Sequence, residues 1–312
     1  MKSAPLVSIA MCTFNGAKYL AEQLNTLVNQ SYKPIEIIVV DDCSTDETLS
    51  ILTKYAKTYP HFNIHQNKTN LGFTGNFERA VNLCKGQLIA LCDQDDLWHP
   101  QKIELQVKGI EENMFIYHDS EFIHEDGKSM NLKISDLMNL YRGGDPTTFL
   151  FFNCVSGHSI LMKKELLNSA LPLKKEYFHD WWLAYVATNI GTIDYIPQCL
   201  VKYRQHDKNE TDILRTKHDM NVYKYSSAEK IEGIRQWLGF CANFRKNKDQ
   251  HLINQLYGAY TKRVNSFISF DLSILLFQNR RTILYIRKKG KLNALNYIYS
   301  QIWGVKIKKL HC

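Results

Sequence analysis

A chain of 312 residues, 45% hydrophobic and 22% charged, holds one large domain or one and a half ordinary ones, and its composition is that of a folded globule and not of a disordered or fibrous chain. Eight cysteines (12, 43, 84, 92, 154, 199, 241 and 312) form no C-x-x-C pair and several lie in apolar runs, so reduced core thiols are expected instead of a zinc site or disulfide framework. The net charge of +8 is uneven: residues 1–215 carry 21 Lys/Arg against 26 Asp/Glu, and residues 216–312 carry 18 against 5, so the tail is expected to face something anionic.

Met1-Lys2-Ser3-Ala4-Pro5 leads into a short apolar run, Val7–Met11, that reads as a first strand and not as the core of a signal peptide, so the chain is expected to begin in the cytoplasm. Ala17–Gln30 follows as an amphipathic helix, with Leu20, Leu24, Leu27 and Val28 at helical spacing, and Pro34 enforces a break. Ile35–Val40 is a β-branched run typical of a buried strand and ends on Asp41-Asp42. Ser44 and Glu47 then spell a capping box opening a helix to about Lys57. Strand Ile64–Gln66, helix Gly75–Lys85, strand Gln87–Cys92, helix His99–Glu112 and strand Met114–His118 continue the alternation. Such βαβα order predicts a mostly parallel sheet with helices on both faces.

After residue 119 the pattern changes. Glu121–Asp145 is polar and reads as loop with a short helix, and Phe149–Met162 as extended chain interrupted at Ser156-Gly157. Lys164–Ala170 reads as a short helix and Phe178–Thr188 as an apolar helix entered through His179-Asp180. Ile193–Tyr203 is extended around Pro197 and delivers Tyr203-Arg204-Gln205-His206, after which long helical patterns dominate. The expected division is an α/β domain over residues 1–215 and a basic helical region over 216–312.

The chemistry is densest at Asp93-Gln94-Asp95-Asp96, just past the apolar run Leu88–Cys92. Carboxylates beyond the carboxyl end of a buried parallel strand lie where open α/β sheets bind ligands, and they offer hard oxygen ligands for Mg²⁺ or Mn²⁺ carrying a diphosphate. Taken alone, Asp95 or Asp96 reads equally well as a cap for the helix beginning near Pro100.

Several motifs together resemble one family, the inverting glycosyltransferases of family 2, which have the GT-A fold. They are Val7–Gly16, Ile38–Asp46 with its Asp41-Asp42, Asn70-Leu71-Gly72 and Asp93-Gln94-Asp95-Asp96, in the family's order and spacing over roughly residues 5–210. His179-Asp180-Trp181-Trp182-Leu183 and Tyr203-Arg204-Gln205-His206 look like the bacterial subset that includes many rhamnosyltransferases of O-antigen and capsule synthesis. The resemblance implies an α/β GT-A fold, Rossmann-like with a mostly parallel sheet, followed here by a C-terminal helical extension.

It also implies roles. Thr13 and Asn15, in the turn after the first strand, with Asp42, Asn76 and Asp93, fall to the nucleotide-sugar; Asp42 is the better candidate for the base, and Asp93 lies near the ribose and metal. Asp95 and His206 fall to a divalent cation, Mg²⁺ or Mn²⁺, that stabilises the departing nucleoside diphosphate. Asp180 matches the catalytic base, which takes the proton of the attacking acceptor hydroxyl; its plain structural role is a helix N-cap. Trp181 and Trp182 place one ring against a sugar and the other in the core, or both in the core. Asp46 is expected to serve the dipole of the helix after it. Two residues depart from the family pattern: Cys43 stands where Gly is common and is expected to affect only a turn, and His158 follows Gly157 near the donor or acceptor pocket.

In the tail, Phe267–Gln278 is apolar but too short to span a bilayer, and Asp271 interrupts it. With Arg280-Arg281, Arg287-Lys288-Lys289, Lys291 and Lys306-Ile307-Lys308-Lys309 it suits helices lying in an anionic interface, or a subdomain packed with its cations in water. Nothing resembles a groove-reading motif, so nucleic acid is not expected. The expected protein is a peripheral enzyme on the inner face of the plasma membrane. It would transfer L-rhamnose from dTDP-rhamnose to a lipid-linked glycan, with a UDP-hexose or UDP-N-acetylhexosamine donor, or a catalytically silent binding protein, as alternatives.

Overall fold

A computed structural model describes residues 4–207, 209, 214, 227–288, 290–304 and 306. The chain divides into two compact units, Met1–Gly144 with Cys154–Gln205, and Asp145–Asn153 with His206–Cys312. The first unit holds the strands β1 (Val7–Thr13), β2 (Ile35–Asp41), β3 (Phe62–Gln66), β4 (Leu88–Cys92), β5 (Leu97–Trp98), β6 (Phe115–Ile123), β7 (Ser129–Lys133), β8 (Leu161–Lys163) and β9 (Ile193–Arg204). They form one sheet in the order β3-β2-β1-β4-β8-β6-β9-β5, with β7 paired to β6. Its helices are α1 (Ala17–Val28), α2 (Thr48–Thr58), α3 (Gly72–Leu83), α4 (Lys102–Gly109), α5 (Ile134–Leu137), α6 (Leu167–Ala170) and α7 (His179–Ile190).

The first four strands in the sheet order are parallel, as their β-branched, doubly buried runs require. Alternate residues of β1 and β2, Ile9, Met11, Ile37 and Val39, share a core layer with Leu20, Leu24 and Leu27 of α1. The opposite face of the same strands takes α3, through Phe77, Ala80 and Val81. Full burial of each such Ile or Leu contributes about 1.5–3 kcal/mol.

Three local expectations are revised. The helix expected from His99 begins at Lys102, because Leu97 and Trp98 are drawn into a strand against Lys202 and Val201 of β9. The capping box does not form: α2 begins at Thr48, and Ser44 turns back to donate its hydroxyl to Asp41 Oδ1 (2.5 Å). Asp46 serves that helix end instead, its Oδ1 accepting from the Thr48 N–H (3.0 Å). Of the extended segment expected over 149–162, Leu161–Lys163 is strand; Gly157–Ser159 is a 3₁₀ turn that buries His158 and Ser159.

The second unit holds α8 (Ser227–Ala242), α9 (Gln250–Val264), α10 (Asp271–Gln278), α11 (Arg280–Ile283) and α12 (Lys291–Ser300), with a 3₁₀ turn at Pro146–Phe149. Asp249 caps α9 by accepting from the Leu252 N–H (2.9 Å), and α9 packs on α8. The Trp237 indole donates to the carbonyl of Leu150 (3.1 Å). Arg263 is fully buried, its Nε donating to the Trp303 carbonyl (3.2 Å). Arg287 is not a solvent cation: its guanidinium lies over the rings of Tyr297 (4.4 Å) and Phe152 (5.4 Å). Lys289, Ile307, Lys308 and Lys309 lie outside the described residues, as does the side chain of Lys291. The described cysteines are free thiols, and among the described residues no helix is long and apolar enough to cross a membrane.

Candidate functional site

Strand register assembles the site. Thr13 pairs with Asp41 across β1 and β2, and Met11 with Cys92 across β1 and β4, so Thr13, Asp41-Asp42 and Asp93 emerge together at the carboxyl edge of the parallel strands. A recess of about 650 Å³ bordered by Pro5, Lys85, Gln87, Lys163 and Glu165 lies at the opposite strand ends, away from these carboxylates.

At the end of β2 the polar groups saturate one another. Asp41 Oδ1 accepts from the hydroxyls of Thr13 (3.0 Å) and Ser44, and its Oδ2 from the Ser44 N–H (3.0 Å). Asp42 Oδ1 accepts from the Asn67 amide and the Leu71 N–H (2.8 Å), and its Oδ2 from the Gly72 N–H (2.9 Å). Asn67 also donates to Asn76 (2.9 Å), whose own amide donates to the Val40 carbonyl (2.9 Å), so Asn76 is a buried prop beneath Asp42. Asn15 sits at φ 47°, its Oδ1 accepting from the Thr45 N–H (2.8 Å). Cys43 stands at φ 66°, a left-handed turn position that explains the glycine common there, and its thiol reaches the Asn67 carbonyl (3.1 Å).

The acidic loop after β4 is built differently. Gln94 clips it to the β1 turn, accepting from the Phe14 N–H (2.9 Å) and donating to the Phe14 carbonyl (3.1 Å). Gly16 leaves room for this clip: a Cβ there would stand 2.1 Å from Gln94 Oε1 and displace the Gln94 side chain. Neither Asp95 nor Asp96 caps α4, whose N-cap is Gln101. Arg204, 2% exposed, holds the loop from β9: its N–H donates to Asp96 Oδ1 (3.1 Å), its Nε to the Asp95 carbonyl (2.9 Å), and its remaining nitrogens to the Glu125 carbonyl (2.8 Å) and Glu22 (2.7 Å).

Asp96 is fully buried, and its Oδ2 has no hydrogen-bond partner. Burial, and then the charges of Asp95 and Asp93, push its pKa well above the carboxylate range. His158 Nδ1 faces that orphan oxygen at 3.6 Å, while its Nε2 is bonded to the Ser120 hydroxyl (2.9 Å). Burial, aided by nearby Lys102, pushes the His158 pKa down to about 3. His158 is therefore a buried wall of the acidic loop, not a lining of an open pocket. Asp93, Asp96 and His158 offer ligand atoms within 4.8 Å of one another, and the orphaned Asp96 Oδ2 is what a divalent cation would satisfy. Lys102, fully buried, has Nζ 3.5 Å from the Trp98 ring centroid, and burial lowers its pKa to about 7.

Asp180 lies in the first turn of α7, but the N-cap is Phe178; the Asp180 carboxylate instead accepts from the main-chain N–H groups of Trp181 (2.6 Å) and Gly157. Burial raises its pKa to about 7. Gly157 is tight against the same helix: a Cβ would approach His179 Nε2 to 2.9 Å. His179 is buried between the rings of Phe77 (4.6 Å) and Phe73 (5.1 Å). Trp182 is a core ring, its indole donating to the Ala170 carbonyl (2.8 Å), whereas Trp181 is half-buried. His206 falls in the second unit, its main-chain N–H donating to Asn209 Oδ1 (2.9 Å).

Gln94, Asp96, Gly157 and Arg204 have no role in the motif reading, yet they position the loop and the candidate base. The third acid of the run and the Arg204 of Tyr203-Arg204-Gln205-His206 stand in the sequence, but residue type does not reveal burial.

Comparison with known proteins adds identity at the level of family and fold. The family described as "Glycosyl transferase family 2" matches residues 8–170. An uncharacterized glycosyltransferase of Haemophilus influenzae is 28% identical over 250 residues, covering 74% of this chain and 73% of that protein. Another, of Rickettsia typhi, is 28% identical over 96% of both chains. Among solved structures, S. aureus TarS 1–349 in complex with UDP-GlcNAc superposes with a TM-score of 0.60 at 17% identity, covering 95% of this chain and 87% of that one. The mannosyltransferase PcManGT of Pyrobaculum calidifontis, with GDP-Man and Mn²⁺, gives 0.55 at 16% identity over 98% and 88%. These likenesses carry the fold, which is the α/β GT-A architecture that the motifs imply, with its C-terminal helices.

Proposed function

Since the chain belongs to glycosyl transferase family 2, we propose that it moves a sugar from a nucleotide-sugar donor to a lipid-linked oligosaccharide acceptor, with inversion, in bacterial surface polysaccharide synthesis. L-Rhamnose from dTDP-rhamnose is the leading donor, on the residues 179–183 and 203–206 that resemble rhamnosyltransferases. The +13 balance of residues 216–312 supports work at the inner face of the plasma membrane.

The turn at Gly157–Ser159 carries this reading. Its first residue donates to Asp180 and its second faces Asp96 at 3.6 Å, which supports a single site for the candidate base and the acidic run. Asp180, with a pKa of about 7, is matched to removing the acceptor hydroxyl proton near neutral pH. The acceptor oxygen then attacks the anomeric carbon opposite the diphosphate, that carbon's bond to the diphosphate oxygen breaks, and the nucleoside diphosphate leaves with the electron pair. Thr13, Asn15, Asp42 and Asp93 hold the donor, with Asn76 beneath Asp42, and Trp181 contacts the acceptor. A bound Mg²⁺ or Mn²⁺ supplies charge neutralisation at the leaving diphosphate. Its proposed ligands are Asp95 and His206, with Asp93, Asp96 and His158 as the competing set.

A thermal-shift screen of nucleotide-sugars with and without Mn²⁺ tests the donor, because a ligand of the native state raises the midpoint by mass action. The expected result is a Mn²⁺-dependent shift with dTDP-rhamnose, followed by transfer to a lipid-linked acceptor. A shift with a UDP-sugar alone replaces the donor, a shift without turnover returns the chain to a silent binding protein, and no shift with any nucleotide-sugar sinks the reading. Loss of the Mn²⁺ response in His158→Ala but not in His206→Ala moves the cation to the competing set.

A further inference from the structure

Two helices of the second unit turn apolar stripes outward. On α10, Phe270 (59% exposed), Ile274 and Phe277 recur at i, i+4 and i+7, while Leu272, Ser273 and Leu276 are buried on the other side. On α12, Leu292 (79% exposed), Leu295 and Tyr299 repeat the pattern at i, i+3 and i+7, with Ile298 buried to one side of the stripe. The two helices form one piece: the Ser273 hydroxyl donates to the Ile298 carbonyl (3.1 Å), and the flanking Phe267–Ser269 and Ile302–Gly304 segments exchange main-chain bonds of 2.9 Å. An amphipathic helix of a lone globule needs only its inward stripe, so a second outward stripe on each of two joined helices marks a contact surface.

Cations stand on the segments flanking these helices. The Arg280 guanidinium is 4.2 Å from the Phe277 ring and Lys306 Nζ is 5.7 Å from the Phe267 ring. Arg281 and Lys288 are exposed, and the acid on α10, Asp271, is engaged by Lys262 (2.8 Å). A second copy of this chain would set +13 against +13, whereas an anionic lipid surface is complementary in both charge and polarity.

We infer that the outward faces of α10 and α12 insert into the headgroup–acyl boundary of an anionic membrane while the neighbouring cations hold the headgroups. This deepens the proposed function, resting on its acceptor at the inner leaflet, and replaces attraction by the basic tail alone with insertion of named side chains.

The test is flotation of the full chain with phosphatidylcholine vesicles with and without phosphatidylglycerol, for the parent, for Phe270→Ser/Ile274→Ser/Phe277→Ser and for Leu292→Ser/Leu295→Ser. The parent is expected to favour the anionic vesicles and to keep part of its binding at 1 M ionic strength, where screening shortens the Debye length to about 3 Å. The triple variant is expected to lose binding on the order of 10²-fold, and the double variant about 10-fold, through lost apolar burial. All five positions are exposed, and an unchanged unfolding midpoint verifies the fold. Equal binding by parent and triple variant, or none by the parent, overturns the inference. So does a parent dimer that the same substitutions disperse, which assigns the face to a second copy. The nucleotide-sugar thermal shift, run on the same samples, separates the two readings: a donor response with no vesicle binding removes only the docking, and vesicle binding with no donor response removes only the transferase.

Discussion

On either side of β1, two strands end in acids, and the protein treats the two ends in opposite ways. After β2, each of the four carboxylate oxygens of Asp41 and Asp42 takes at least one donor from the chain itself. After β4, Asp96 is equally buried, yet one of its oxygens has no hydrogen-bond partner and its neighbours Asp93 and Asp95 raise its pKa further. Buried carboxylates with full hydrogen bonding build a frame, whereas a buried carboxylate crowded by like charges stores an electrostatic demand that a cation relieves. In the proposed site the β2 end thus fixes the geometry of the loops that hold the donor, and the β4 end is where a cation would be received.

If chemistry belongs to the β4 side, the largest effect comes from Asp180, which the Gly157 turn joins to that side. Asp180→Asn is expected to lower transfer 10²–10⁴-fold while the donor-induced thermal shift persists. In the parent, kcat/KM should rise as pH increases through about 7 and then level, and this acid limb should vanish in the variant. The stability sign is opposite. A carboxyl raised from 3.8 to about 7 holds its proton in the folded state where the unfolded chain has lost it, so folding weakens as pH rises between those values. Asp180→Asn should therefore stabilise the protein above neutral pH, by up to about 4 kcal/mol before discounting for solvent. Collapse of donor binding in the variant would make Asp180 a structural residue.

The next effect contrasts the two ends directly, by denaturant unfolding in EDTA. Asp42→Ala takes the acceptor from the Leu71 N–H and one of two acceptors from the Asn67 amide and from the Gly72 N–H, and an unpaired buried donor costs about 1–3 kcal/mol, so a loss of about 2–3 kcal/mol is expected. Asp96→Asn keeps an acceptor for the Arg204 N–H and removes a crowded charge, so its stability should stay within about 1 kcal/mol of the parent or rise, while Mn²⁺ affinity falls. Equal destabilisation by both would erase the distinction.

How far the sequence reveals this distinction depends on the range of the contacts. Period and β-branching suffice for β1, β2 and β4, and the acids beyond them announce a ligand edge, because strand pattern and strand-end position are local properties. What neighbours in space decide is not legible. Leu97-Trp98 becomes strand only against β9, Ser44 leaves its cap position to accept from the Asn15 N–H (2.9 Å), and His158 is taken into the core by Ser120 and Asp96. Nor does charge announce burial: Arg204 and Arg263 are 2% exposed while Leu292 is 79% exposed, reversing what residue type alone implies.

Arg204 gives a smaller effect that sharpens the β4 side. It holds Asp95 through its main-chain carbonyl and not through its carboxylate, so it positions the loop without occupying a cation ligand. Arg204→Lys retains a charge but loses the fork that reaches Asp95, Glu125 and Glu22 together. We expect the Mn²⁺ concentration for half-maximal activity to rise about 10-fold with kcat nearly recovered at saturating Mn²⁺, the signature of about 1.4 kcal/mol in positioning. A fall in kcat that added Mn²⁺ does not restore would assign Arg204 to the chemistry.

The smallest effect probes the frame at β2, where Asp46 serves the start of α2 and the expected Ser44–Glu47 capping box does not form. Asp46 Oδ1 accepts from the Thr48 N–H (3.0 Å) and the Thr48 hydroxyl (2.5 Å), and its Oδ2 from the Ala17 N–H (3.1 Å), tying α2 to α1. Burial opposes its charge, but these hydrogen bonds outweigh burial and hold its pKa below 3.8. A carboxylate with a depressed folded pKa contributes stability that is fully present above the unfolded value and fades as pH falls through the folded one. Asp46→Ala should accordingly cost about 1 kcal/mol at neutral pH, the worth of a helix-end acceptor, and the gap from the parent should shrink in acid. Glu47 makes no side-chain capping bond, so Glu47→Ala should leave stability within about 0.5 kcal/mol. Equal losses for the two substitutions at neutral pH would restore Ser44 and Glu47 as the cap of α2 and remove Asp46 from the frame at the β2 end.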